Sequence, residues 1–366
     1  MITAPASSAP PFCPNPKCRF HRQDRHLWKF RRIGFYFRSI PPHRVQRWKC
    51  DTCRRSFAAQ AFRVDYWLHR PELLLPVFHR LVACSGFRQI AREFGCSPDT
   101  IRRLSGRMGR HALLFHQRHR PKGPVTEPLA LDSFESFELS QYYPTSYHVA
   151  VGQKTHFFYG FTDSECRRRG TMTEAQKRRR AALELQHGKP DPKSVEKEVA
   201  GLLEILTAKT PTLELHTDEH HAYGRAVRRI SGVAIEHRTI SSRAARLPQN
   251  PLFPINLLDL LIRHNGANHK RETIAFSKRR ASAAYRLAHY QLYRNWVRPF
   301  SERRRGESPA MRVGLASRLL RAEEILINRL FPSRELLPER WHFYYLKSLE
   351  TRALARNTKH DLKYAI

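Results

Sequence analysis

The sequence predicts an α+β multidomain fold on three observations. Two closely spaced cysteine pairs lie near the N-terminus, helical periodicity follows them, and strand-like segments carrying acids precede a second helical stretch. The chain has 366 residues, with 66 Lys plus Arg against 32 Asp plus Glu, a formal charge of +34. A surface this basic repels itself unless a polyanion is near, and a composition 41% hydrophobic and 11% aromatic is apolar enough to fold, so a nucleic-acid partner is expected. Membranes fit less well. No window approaches the roughly eighteen consecutive apolar residues of a spanning helix, and the Ala/Ser/Pro-rich start lacks the basic-then-apolar order of a secretory leader. A soluble, cytoplasmic, nucleoid-associated protein is the expectation.

Seven cysteines, an odd number in an intracellular chain, argue against a disulfide framework. Cys13, Cys18, Cys50 and Cys53 read C-x4-C, a gap of 31 residues, then C-x2-C, within a segment dense in turn residues, Arg and aromatics. Two short-spaced thiolate pairs can close a tetrahedron around one Zn2+, and a segment too small for a large core gains folding free energy from the metal. Residues 1–60 are therefore predicted to be a zinc ribbon with structural Zn2+. His21 and His43 lie nearby, but four thiolates need no further ligand.

Residues 61–117 turn helical. Residues 71–82 and 87–94 read as helices, then Gly95 allows a tight turn, Ser97 can cap the next helix and Pro98 suits its first turn. Ile90, Ala91, Phe94, Ile101 and Leu104 supply a small interface, which together is a helix-turn-helix signature. Arg88, Arg102, Arg103 and Arg107 are the candidate DNA contacts, because guanidinium groups along such a helix suit phosphates and guanine edges.

Residues 118–128 have the Pro/Gly/Lys composition of a linker. Beyond it, residues 129–138, 147–151, 156–161 and 213–218 read as strands, with a helical insertion over about 164–210 whose apolar stripe is Val199, Leu202, Leu203 and Leu206. Strands first and helices after, with carboxylates on central strands, predict an RNase H-like α/β catalytic domain over 129–300. Asp132 and Asp218 each stand in or at the end of an apolar strand, where a carboxylate is costly unless paired or metal-bound. On adjacent strands they would converge and hold Mg2+ or Mn2+ through oxygen ligands. Glu135, Glu138, Asp163 and Glu219 are rivals. A third acid has two candidates. Asp259 sits in a leucine-rich helix four residues before Arg263, and Glu272 lies among cations that would neutralise it in solvent; burial favours Asp259.

This order of parts resembles the small bacterial insertion-sequence transposases of the DDE type, and the resemblance covers most of the chain. It rests on the ribbon, the helix-turn-helix and Asp132, Asp218 and a third acid, with Asn256-x-x-Asp259 and Arg263 compatible with the third motif. In that family the third acid is more often Glu, with a basic residue seven places on, a spacing that Glu272 and Arg279 keep. The resemblance implies metal-dependent DNA strand cleavage and strand transfer without a covalent protein intermediate. It also implies Arg263 on a phosphate, terminal inverted repeats and target DNA as duplex partners, and a homo-oligomer on DNA. A zinc-ribbon/helix-turn-helix regulator with a degenerate core, and an RNase H-like nuclease, are the alternatives.

Residues 301–366 are expected to be a basic helical region. The charge is uneven: net +18 over residues 1–128, −1 over 129–218 and +17 over 219–366. The expected DNA-gripping ends thus flank a near-neutral middle that carries two of the proposed acids.

Overall fold

Residues 9–58 bury little apolar surface, and what they bury is gathered around the cysteines. In the computed structural model, which describes residues 9–23, 25–357 and 359, this segment forms a three-stranded antiparallel sheet of β1 (Phe30–Phe37), β2 (Arg44–Cys50) and β3 (Ser56–Ala58). Cys13, Cys18, Phe20, Trp28 and Cys50 make a small core of their own, with Phe30, Cys53 and Phe57 packed on it. Its outer side meets the far end of the chain. Phe12 stands edge-on to Phe62 (5.3 Å) and Phe331 (5.2 Å), and His21 Nε2 lies 2.7 Å from Ser333 Oγ.

Three helices follow: α1 (Leu74–Leu81), α2 (Phe87–Glu93) and α3 (Pro98–His119). The turn between α2 and α3 forms as its residues dictate. Gly95 takes φ +55°, and Ser97 caps α3 by accepting the Asp99 amide at 3.2 Å. At 22 residues, however, α3 outruns a recognition helix and becomes a central strut against α8 (Arg280–Leu292). The crossing is close. A Cβ on Gly109 would stand 2.4 Å from Tyr285 Cβ, so only glycine lets these backbones meet.

One buried apolar cluster runs from Val64 to Leu349, so the expected units 61–117, 129–300 and 301–366 share a core rather than each closing its own. Residues 118–128 are no loose linker. Glu127 accepts the amides of Lys154 (2.8 Å) and Thr155 (3.0 Å) and the Tyr159 hydroxyl (3.0 Å), fastening the segment to the turn between two strands.

The second sheet has five strands in the order β6-β5-β4-β7-β8. Strands β4 (Leu129–Phe137), β5 (Pro144–Gly152) and β6 (Phe158–Glu165) form an antiparallel meander, and β7 (Thr212–Thr217) and β8 (Ala234–Thr239) add in parallel on the β4 side. The sequence reading missed β8, whose residues alternate between exposed and half-buried. Between β6 and β7 lie α4 (Glu174–His187), without a buried residue, and α5 (Ser194–Thr207), whose Val199, Leu202, Leu203 and Leu206 are buried beside β6. Then α6 (His221–Val227) follows β7, and α7 (Phe253–Asn265) packs against β4 and β5.

The C-terminal region is less helical than its composition suggests. Among the described residues it holds α9 (Pro309–Arg312), α10 (Ala322–Ile327) and α11 (Glu339–Tyr345), joined by irregular chain; residues 358 and 360–366 lie outside the described residues. The region nonetheless reaches the sheet. Asp163 accepts the Tyr344 hydroxyl (2.6 Å) and Arg340 (3.1 Å) and is paired with Arg280. Although its burial opposes ionisation, those two guanidinium groups hold the carboxyl below its usual range, which accounts for one rival acid as a structural ion pair.

Candidate functional site

The pairing of β4 with β7 is brief. Leu129 aligns with Leu215 and Ala130 with His216, and then the ladder ends. That register sets Asp132 level with Asp218, each two residues beyond the last pair. The two carboxylates therefore stand where β7 parts from β4 while β5 stays paired with β4 along its whole length, and such a parting at the carboxyl end of a parallel strand is where open α/β sheets form ligand crevices. Asp218 is half-buried, and its Oδ1 accepts the His220 amide at 2.9 Å.

Burial pushes the Asp132 carboxyl up to about 6; the charge of Asp218 adds to the rise, while the Ser133 amide and Tyr223 hydroxyl oppose it. A polar chain extends from this carboxylate. The Tyr223 hydroxyl of α6 donates to Asp132 Oδ1 (3.3 Å), Ser133 Oγ lies 2.8 Å from that hydroxyl and 2.6 Å from His148 Nδ1, and His148 Nε2 lies 3.0 Å from Ser164 Oγ. Burial takes His148 down to about 3, so its ring is neutral, with one donor and one acceptor nitrogen. One polarity satisfies every member: Ser164 to His148, His148 Nδ1–H to Ser133, Ser133 to Tyr223, Tyr223 to Asp132. Sequence reasoning missed Tyr223, His148 and Ser164, and took Ser133 from strand alternation as a structural or supporting residue on the face opposite Asp132. Their signal is the strand register, which puts Ser133 opposite His148.

The two candidates for a third acid differ in their surroundings. Asp259 lies on α7, its Oδ1 is shut away from solvent without a hydrogen-bond partner, and burial together with the charge of Asp132 raises its pKa well above the carboxylate range. Glu272 is exposed in the loop after α7. Arg263 does not neutralise Asp259 by a direct bond: it donates to the His269 carbonyl (3.2 Å) and lies over the Phe134 ring (5.5 Å). A further cation was not anticipated. The charge of Arg246, on the exposed loop between β8 and α7, favours ionisation of both Asp132 and Asp259.

Of the expected DNA contacts, Arg88 is exposed on α2, and Arg102 and Arg103 share Asp99 at 2.5 and 2.7 Å on α3. Arg107 turns inward instead. It donates to the carbonyls of Val64 and Tyr66, both at 2.7 Å, and stacks on the Tyr66 ring at 4.3 Å, and burial brings its pKa down to about 10. It holds the chain that enters α1 and is not presented as a groove contact. His216, His220 and His221 have other duties near Asp218: His216 bonds Gln153, and His220 caps α6 through the Ala222 amide (3.3 Å).

The four N-terminal cysteines do meet. Their sulfurs lie within 4.8 Å of one another, with Cys13–Cys53 at 3.7 Å and Cys18–Cys50 at 3.9 Å, close to the roughly 3.8 Å edge of a tetrahedron with Zn–S bonds near 2.3 Å. This set can hold a metal ion such as zinc. Burial alone would raise the Cys50 thiol, but the Cys53 amide and the Trp28 indole N–H (3.2 Å) bring it down to about 7. His21 is not a ligand; its Nδ1 bonds the Cys13 carbonyl at 2.8 Å. Among the described residues these cysteines are the sole group of three or more such ligand atoms all within 4.8 Å of one another, so Asp132, Asp218 and Asp259 do not close on one point.

No protein-family model and no curated protein matches the chain. Among the described residues no helix is long and apolar enough to cross a membrane.

Proposed function

We propose that this chain is a DNA transposase of the DDE type, which binds transposon ends and catalyses metal-dependent strand cleavage and strand transfer on an RNase H-like core. The observation that carries the reading is the buried, unpartnered Oδ1 of Asp259 on α7, within electrostatic reach of Asp132 on β4, which stands level with Asp218 at the end of β7: the Asp218 charge raises Asp132 and the Asp132 charge raises Asp259, although the three carboxylates do not close on one point. The strand order, with an antiparallel meander extended by two parallel strands, supports the same core.

Carboxylate oxygens are the ligand type of a hard divalent cation, and these three would have to draw together to share one. Three carboxylates supply oxygen ligands, and the solvent-shielded, unpartnered Oδ1 of Asp259 is an acceptor awaiting a positive group. Asp132, Asp218 and Asp259 would hold Mg2+ or Mn2+, which when bound lowers the pKa of water and stabilises a leaving oxygen. The chain's own residues prepare the crevice. The Tyr223 hydroxyl and Ser133 amide fix the Asp132 carboxylate, the neutral His148 keeps that chain in one polarity, and Arg246 offers a cation beside a phosphodiester. Arg88, Arg102 and Arg103 would grip duplex DNA, Arg263 would stay near the acids, and the cysteine-bound metal would hold the ribbon's shape for end recognition. Two copies of the chain would hold two ends.

The decisive test is Asp132→Asn assayed on duplex carrying the element's own ends. Retained binding with loss of Mg2+-dependent nicking, about a hundredfold or more, is the expected result. Cleavage at the wild-type rate would overturn the enzyme reading in favour of a regulator, and cleavage without strand joining by the wild-type chain would favour a nuclease.

A further inference from the structure

Strand direction in the second sheet brings one basic excursion of the chain to the end where Asp218 stands. Strand β5 runs antiparallel to both β4 and β6, and β7 runs parallel to β4, so the carboxyl end of β6 lies at the same end of the sheet as that of β7. There the chain leaves for α4 through Arg167, Arg168 and Arg169. Residues 167–189 hold eight Lys or Arg and two Glu, whereas the rest of 129–218 holds four and eleven. The near-neutral middle of the chain is thus an average of an acidic remainder and one strongly basic excursion.

A 14-residue helix without a buried residue lacks the apolar packing that holds most helices in place. Polar ties along one edge replace it. Arg167 grips Glu184 with two bonds of 2.7 and 2.9 Å, Arg180 donates to the Arg168 carbonyl (3.0 Å), and Arg352 donates to the Gly188 carbonyl (3.0 Å). A capping box of Thr173 and Gln176 fixes the start of α4. The tied edge includes Gln176, Arg180 and Glu184, four residues apart and half-buried, and Arg178 falls on the far side of the turn from Arg180. Arg169, Arg178 and Arg179 are exposed, and among the described residues none of them is ion-paired with a carboxylate. Arg169 also reaches toward the acids. Burial, then the charge of His221, lowers the ring of His220, with Asp218 opposing and Arg169 adding to the fall; the His220 amide is the one that Asp218 accepts.

We propose that Arg169, Arg178 and Arg179 hold the phosphate backbone of duplex DNA where it passes the Asp218 end of the sheet. Charge complementarity names the partner: guanidinium groups on a firmly tied helix, without counter-ions of their own, match a row of phosphates. The proposal rests on the DNA-processing reading for the identity of the polyanion. It requires neither a metal nor the chemistry of the three acids.

The full zinc-loaded chain and the variant Arg169→Gln/Arg178→Gln/Arg179→Gln are titrated with a fluorescent duplex carrying the element's ends, at several salt concentrations and without divalent metal. Each lost phosphate contact removes about 0.9 from the slope of log affinity against log salt, so the slope is expected to fall by about 2–3, with about tenfold or more lost in affinity at low salt. Lysine at the same three positions keeps the charge and is expected to keep the slope. The control Arg303→Gln/Arg304→Gln/Arg305→Gln removes equal charge from an exposed stretch before α9. An equal fall in the control would overturn the proposal in favour of total charge, and an unchanged slope in the α4 variant would overturn it outright. Gln is a good helix former and no buried residue is altered, and melting curves report that each variant folds. A wild-type chain that binds with the expected slope but cuts nothing would defeat the transposase reading alone, whereas one that cuts while the α4 variant keeps its slope would defeat this proposal alone.

Discussion

Asp132 keeps a carboxyl group where its own charge is disfavoured. Its pKa of about 6 in the folded chain exceeds the 3.8 of a free side chain, so between those values the native state holds more protons than the unfolded state, and stability falls as pH rises through that window. Asp132→Asn removes the penalty. The variant should be more stable than the wild type at pH 7, by on the order of 2 kcal/mol, and the gain should vanish below about pH 4; melting curves at the two pH values check this. Tyr223→Phe acts oppositely on the site. It removes a donor to the ionised form, so the Asp132 pKa should rise and the acidic limb of the pH–rate profile should move to higher pH, with duplex binding unchanged. At this scale the sequence exposed the acids, because a carboxylate within an apolar strand stands out. It concealed the meeting of Tyr223, Ser133 and His148, for that depends on which residues face each other across β4 and β5 and on where α6 begins. Arg107 misled for a related reason. A guanidinium on a basic helix looks solvated until the preceding segment supplies the carbonyls that capture it.

The helix α3, which the sequence suggests as part of a helix-turn-helix, continues as a packing element, and Gly109 is where it meets α8. In an ordinary helix interior Ala is better than Gly by about 1 kcal/mol. Here the sign reverses, since the added methyl would fall 2.4 Å from Tyr285 Cβ. Gly109→Ala should destabilise the chain by about 1–3 kcal/mol, read from denaturant unfolding; a neutral or stabilising result would mean that α3 and α8 do not cross so closely. The turn itself was legible, because Gly95, Ser97 and Pro98 act locally. The length of α3 was not, because its continuation is justified by α8, more than 160 residues away. Local chemistry also accounts for the short C-terminal helices. Pro299, Gly306, Pro309, Gly314, Pro332 and Pro338 interrupt a stretch whose aromatic and basic residues alone suggest continuous helix. Strand β8 escaped notice because, at the sheet edge, no residue of it is fully buried.

Across the whole molecule there are two cores, one small and built on cysteine, the other running from the first helices to the last. Metal removal should separate them. A chelator is expected to unfold the ribbon while leaving most of the larger core's melting transition in place, seen by calorimetry as the loss of one component and by greater exposure of Trp28 and Trp48. A single transition lost as a unit would show that the cores fold only together. The charge follows part of this division, for the near-neutral stretch 129–218 supplies four of the five strands of the larger sheet and the basic stretch after it supplies β8. The sequence set the cysteine-rich segment apart but did not reveal the union of the rest, since the ties within it run between residues far apart in the chain. One of the longer ties in the molecule, from His21 to Ser333, spans 312 residues. During synthesis the cysteine-lined segment is made well before Ser333 and could take up a metal early, ahead of the residues that pack against it from the far part of the chain. A product truncated before Phe331 would keep, of the contacts described for this head, the one between Phe12 and Phe62, so the aim of the cysteine-lined head is set in large part by a segment made more than 300 residues after it.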